Sequence, residues 1–339
     1  MTTSSLNAMT SQPASPDQRP ARSGLWITLG LLGLVVLGLA GLAATTGWEE
    51  SLEALGRLTV LQMAALLALS LINYVFRGLR WHLCAEALGL KTGLRANMRH
   101  FLAGFAMSAT PGRLGELVRM RWIKRETGWA FERTAPLFLM DRAGDLAAMA
   151  LLLAGALWVS TTAIVGAIPL TILALAAAVV VTRPSLLRMA ATWGHKITGL
   201  LPKLFARIRR AALSLEEFTD PRLITTATVL GIIGWLAEGY AFYLLLDWMG
   251  ADVGLGMAVA IFIFASLAGG LTGAPGGVGG AEAAMVALLA LEGVPLEVAV
   301  PATLIIRLTT LWFAILIGAG VFPFAERISK REAHALERR

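Results

Sequence analysis

Residues 108–116 read SATPGRLGE and residues 272–282 read TGAPGGVGGAE, and each stretch interrupts an otherwise apolar run, 97–125 and 257–292 respectively. Both contain the pattern Pro-Gly-x-x-Gly, at Pro111, Gly112 and Gly115 in the first and at Pro275, Gly276 and Gly279 in the second. Proline removes a backbone donor and glycine bares the peptide group, so a break of this kind leaves polar backbone that lipid cannot satisfy. The spacing therefore predicts two re-entrant hairpins of half-helices, each with its broken turn facing protein or a water-filled cavity.

Outward from these breaks lie six apolar runs, 24–45, 58–76, 134–156, 160–182, 222–246 and 299–321, each near the roughly 20 residues that a membrane-crossing helix needs. The chain is 57% apolar and 15% charged, against roughly 25% charged in soluble domains. The expected fold is an all-α polytopic membrane protein: six transmembrane helices, two broken hairpins and a single membrane domain over 24–325. Residues 1–23, with Pro13, Pro16 and Pro20 among many serines, lack the apolar content to fold and read as a disordered tail. The run 24–45 is too long for a signal-peptide core and reads as a retained span. Residues 326–339 read as a basic tail.

The charge pattern orients these elements. With both termini cytoplasmic and both breaks re-entrant, 26 of the 29 Lys and Arg residues fall on the cytoplasmic side, as the positive-inside rule requires. Inner-membrane residence with cytoplasmic termini is the expectation, and the net charge of +7 reads as topology. No basic stretch is interleaved with stacking aromatics, so nucleic acid is not an expected partner. Residues 196–218 suit an amphipathic helix along the cytoplasmic interface.

The two breaks are the centres of candidate repeats, 58–156 and 222–321. Glu116 closes the first and Glu282 the second; Arg142 follows Glu116 by 26 residues and Arg307 follows Glu282 by 25. Three spans separate the breaks, which makes the repeats inverted. Inverted repeats with broken helices near the midplane point to transport, because half-helix N-termini offer free N–H groups and positive dipole ends to an anion.

Asp141, Arg142 and Asp145 enter their span by about 10 to 17 Å, near the midplane. Arg307 reaches comparable depth from the other side, with the aspartates or Glu238 as its expected partners. Such charges must face the protein interior, where they clamp the repeats or bind a lipid phosphate. Arg113 and Arg119 are candidate entry contacts, Arg119 otherwise an ordinary loop charge. Arg77, Arg80, Trp81 and His82 read as a headgroup anchor, with Arg80 also placed to receive a headgroup. Glu116, Glu238, Glu282, Asp141 and Asp145 are the carboxylates available to carry a proton. One cysteine, Cys84, and four histidines form no metal-ligand spacing, and neither a nucleotide loop nor a hydrolase motif occurs. No metal, no cofactor and no enzymatic activity are expected.

Four motifs in order, R-x-x-R-W at Arg77–Trp81, SATPGRLGE at 108–116, D-R-A-G-D at Asp141–Asp145 and TGAPGGVGGAE at 272–282, resemble the flippase-like membrane domain of the lysylphosphatidylglycerol synthase superfamily. The likeness covers residues 24–325. It implies movement of lipids between leaflets, with membrane lipids as partners and an anionic or polyprenyl-linked lipid as substrate. The soluble aminoacyl-transferase domain that accompanies some members has no counterpart here, so lysyl transfer is not expected. The alternatives are a membrane enzyme acting on a lipid headgroup and a non-transporting partner in lipid biosynthesis.

Overall fold

The computed structural model describes residues 53, 56, 58–108, 110, 116–159, 167–198, 218 and 220–338. The tail 1–23, the run 24–45, the first break with Pro111, Gly112, Arg113 and Gly115, and nearly all of 199–218 lie outside the described residues. Among the described residues every regular element is a helix. In chain order these are α1 (Val60–Ala87), α2 (Leu94–Gly104), α3 (Val118–Thr127), α4 (Phe131–Val159), α5 (Ala167–Thr182), α6 (Pro184–Thr198), α7 (Pro221–Trp248), α8 (Leu255–Leu271), α9 (Gly280–Leu291), α10 (Leu296–Arg307) and α11 (Phe313–Glu337).

Local sequence sets the helix starts. Thr59 and Gln62 form a reciprocal capping box ahead of α1, the Gln62 N–H on Thr59 Oγ1 at 3.3 Å and the Thr59 N–H on Gln62 Oε1 at 2.8 Å. At α7, Asp220 caps the Arg222 N–H at 2.9 Å and Pro221 takes the first helical position, where no donor is needed.

The helices are amphipathic in the sense a membrane demands. Along α1 the polar residues Ser70, Asn73, Arg77 and Arg80 recur at helical spacing and are all buried, whereas Leu71, Ile72 and Val75 are exposed. α7 packs along this polar stripe. α8 is apolar on all sides and sits in the core, as such a helix must.

Among the described residues three helices, α1, α7 and the nearly continuous helix Leu296–Leu336, are long and apolar enough to cross a membrane. α4 has 29 residues, of which Asp141, Arg142 and Asp145 interrupt its apolar character. α5 bends by 105° into α6 across Arg183.

α8 and α9, on either side of the second break, pack on each other, and α2 packs on α3. α11 covers α2 and α3, packing also on the turn Phe105–Met107. Glu326 of α11 pins this contact through Arg121 at 2.9 Å, Trp122 Nε1 at 2.9 Å and Arg125 at 2.8 Å. Between α10 and α11 a π-helical turn, Leu308–Trp312, follows Arg307 directly. The Tyr74 hydroxyl donates to the Thr310 carbonyl within that turn.

Candidate functional site

A charged centre forms where α1, α3 and α4 meet. Arg77 grips Asp145 with two parallel bonds, Nε to Oδ1 at 3.0 Å and Nη2 to Oδ2 at 2.6 Å, the geometry in which a guanidinium holds a carboxylate best. Arg80 Nη2 reaches Asp141 Oδ1 at 2.7 Å and Asp145 Oδ1 at 2.6 Å. Trp235 of α7 donates its ring N–H to Asp145 Oδ1 at 3.2 Å. Arg119 meets Glu116 Oε2 at 3.0 Å and Asp141 Oδ2 at 3.3 Å, with its guanidinium 4.6 Å from the Phe101 ring centre. Gly104 makes room for it, because a Cβ there would lie 2.1 Å from Arg119 Nε.

Arg142 is held differently. Its contacts to Asp141 at 2.7 Å, Glu116 at 3.3 Å and Asp145 at 3.5 Å all end on one nitrogen, Nη2. Among the described residues Nε and Nη1 of Arg142 join no ion pair. Its side chain is 22% exposed, against 1% for Arg80 and 0% for Arg119. Among the described residues four guanidinium groups thus meet three carboxylates in this network, and Glu238 stands on the same cavity wall.

The second half builds a smaller version. Gly276, Gly277 and Gly279 all adopt positive φ, the conformation that glycine permits without strain. Glu282 turns back to accept the Gly279 N–H at 2.7 Å, and Arg307 Nε binds its other oxygen at 2.6 Å. Arg307 Nη2 also donates to the Gly276 carbonyl at 2.8 Å, which ties the following span to the broken turn. The glutamate after each break is therefore paired with the arginine 25 or 26 residues on: Glu282 with Arg307, and Glu116 with Arg142.

Between the two centres lies a cavity of about 350 Å³. Tyr74, Arg77, Ser108, Arg142, Asp145, Glu238 and Arg307 line it together with Trp235 and Phe262. The Ser108 hydroxyl donates to Glu116 at 2.8 Å.

These positions correct several expectations. Arg77, Arg80 and Trp81 are not a headgroup anchor: they are 3%, 1% and 0% exposed, because the aspartates of α4 draw both guanidinium groups inward. Enclosed in this way, Arg80 cannot receive a headgroup. Arg119 is neither a loop charge nor an entry contact, since it is buried between two carboxylates and three aromatic rings. Arg307 pairs with Glu282 at the start of α9 rather than with Glu238 or the aspartates. His82 alone of that group stays near the surface, contacting Asn97 at 2.8 Å and Glu86 at 3.5 Å. Arg77, Tyr74, Ser108 and Trp235 are cavity residues that the sequence reading did not assign to the site, although Arg77 and Ser108 stand inside its motifs. The polar spacing along α1 held the signal for the first two. Among the described residues no group of three or more His, Cys, Asp or Glu is placed to hold a metal.

Residues 26–318 match the family described as Lysylphosphatidylglycerol synthase TM region. A UPF0104 membrane protein of Methanothermobacter thermautotrophicus is 24% identical over 327 residues, covering 86% of this chain and 94% of that protein. A further UPF0104 membrane protein of the same organism is 31% identical over 106 residues, 31% of each chain.

Proposed function

Because the chain belongs to the Lysylphosphatidylglycerol synthase TM region family, a family of multi-pass membrane proteins, we propose that it moves a phosphate-bearing lipid between the leaflets of the inner membrane. The observation that carries this reading is Arg142: the most exposed of the four guanidinium groups that meet three carboxylates among the described residues, on the wall of the cavity. A phosphodiester brings a negative charge to this guanidinium, and the Nη1 edge is the donor that meets it. Arg307, on the facing wall, is the second contact. Arg77, Arg80 and Arg119 hold the carboxylates that set the centre's shape, so their part is structural.

The paired Glu–Arg contacts after each break support an inverted-repeat carrier, with both termini cytoplasmic, in which each hairpin moves together with the span that its glutamate grips. No cofactor enters this reading. Reconstituted protein should speed the leaflet exchange of a fluorescent phosphatidylglycerol well above that of an uncharged diacylglycerol. Equal exchange of both, or of neither, would defeat the proposal.

Headgroup chemistry is the second reading, favoured by the Ser108 to Glu116 contact of 2.8 Å in the cavity wall. Mass spectrometry of lipids incubated with the purified protein separates the two, since transport leaves every headgroup mass unchanged.

A further inference from the structure

The cavity wall holds two kinds of side chain. Tyr74, Arg142, Glu238 and Arg307 are polar; Leu173, Ala174 and Ala177 of α5, with Leu271 and Ala274 at the second broken turn, are apolar. Of the apolar set Leu173 is 52% and Leu271 65% exposed. Residues that line a cavity and are also open on the outside mark its mouth. Between these leucines the side chains are small, Ala174, Ala177 and Ala274, and the wall carries no charge.

A mouth walled by leucine and alanine would be costly against water, and it is compatible with hydrocarbon. We infer that the gap between α5 and the Leu271–Ala274 turn is a chain-binding slot, a lateral portal through which the hydrocarbon tails of a lipid run out while its headgroup stays at Arg142. The inference rests on the reading of the substrate as a phosphate-bearing lipid and adds where its tails lie. Size argues for an exit: about 350 Å³ is near the small end of the roughly 300–1,000 Å³ typical of ligand cavities. A phosphodiester headgroup fits that space, and two full acyl chains do not. Because the slot and the polar residues wall one cavity, its occupant is the tail of the same molecule.

The test uses the full chain in lipid nanodiscs holding a trace of phosphatidylglycerol with a photoreactive diazirine in mid-chain. Cross-links should fall on Leu173–Ala177 and Leu271–Ala274 several-fold more often than on Val229 and Ile233, which are exposed on α7 and lie outside the cavity wall. Ala174→Trp should lower both that labelling and lipid exchange several-fold, while binding of water-soluble glycerophosphoglycerol stays unchanged. Ala177→Leu, a milder filling of the same slot, guards against a folding defect and should act in the same direction. Slot labelling no higher than at Val229 and Ile233, or undiminished exchange in both variants, overturns the portal. If the slot is labelled but glycerophosphoglycerol does not bind the unaltered protein, the portal stands and the phosphate reading falls.

Discussion

Arg307 Nε lies 2.6 Å from Glu282 Oε1, and the same guanidinium reaches back to the carbonyl of Gly276. One side chain thus closes a loop of about 30 residues, from the broken turn through α9 to the span that follows. The carboxylate is not spent on this contact alone, since its other oxygen caps the N-terminus of α9 through Gly279. In this half of the protein, then, the arginine, the acid and the glycine turn form one mechanical unit.

Breaking that unit should cost stability first. Arg307→Gln leaves Glu282 buried without its cation, a loss of about 3–5 kcal/mol, which should appear as a clear fall in Tm in detergent. Adding Glu282→Gln should recover much of it, because the stranded charge is then gone. A Tm unchanged in Arg307→Gln would show that the pair does not support the turn.

Gly276 should resist substitution. Its φ is +62°, and a Cβ there would lie 3.0 Å from Leu311. Gly276→Ala combines left-handed backbone strain of about 1–2 kcal/mol with a displaced Leu311, so Tm should fall, and by more than for Gly250→Ala. Gly250 has a similar φ of +77° with nothing within 4 Å of the added Cβ. Equal losses at the two positions would assign the whole effect to backbone strain.

Glu326 gives the contact between α11 and α3 a pH dependence. Burial opposes its ionisation, but the Trp122 and Arg125 hydrogen bonds, with Arg121 beside them, outweigh that and hold its carboxyl down at about 2. A folded-state value below the ordinary one of 4.5 means that the contribution is complete above about pH 4.5 and is lost as pH falls toward about 2. Glu326→Gln should therefore lower Tm at pH 7, and its difference from the unaltered protein should shrink steadily below pH 4.5. A difference that is constant across this range would contradict the ion-pair account.

Much of this architecture was legible in the sequence because its causes are local. The Pro-Gly-x-x-Gly pattern placed the second broken turn at Pro275–Gly279, where three glycines do take positive φ. The spacing of Glu282 to Arg307 singled out both residues, although the partners expected for Arg307 were Glu238 and the aspartates. What local reading could not supply was which helix faces which. Arg77 and Arg80 sit where a headgroup anchor is common, and only the packing of α1 against Asp141 and Asp145 of α4 turns them inward. Arg119 fell to the same cause: in a run of basic residues nothing distinguishes the one that folding buries.

Glu238 should set the affinity for an anion. Tyr74, Arg77, Arg142, Asp145 and Arg307 line the same cavity, and Glu238→Gln removes one negative charge from that wall. Affinity for phosphatidylglycerol should rise by about tenfold, equivalent to about 1.4 kcal/mol. Isothermal titration of a short-chain form in detergent reads this directly, and an unchanged or weaker affinity would place Glu238 outside the anion's reach.

The central claim is that Arg142 meets the substrate while Arg80, bound to the same Asp141, only holds the centre together. The most direct test measures leaflet exchange of phosphatidylglycerol and Tm on the same preparations of Arg142→Gln and Arg80→Gln. Loss of a charge-assisted contact of about 1.5–3 kcal/mol predicts a ten- to hundredfold weaker affinity in Arg142→Gln, with exchange falling accordingly and Tm little changed. Arg80→Gln should instead lose Tm strongly, and Asp141→Asn should restore part of it. The claim is contradicted if Arg142→Gln exchanges lipid normally, or if its defect is a loss of Tm that Asp141→Asn reverses together with exchange.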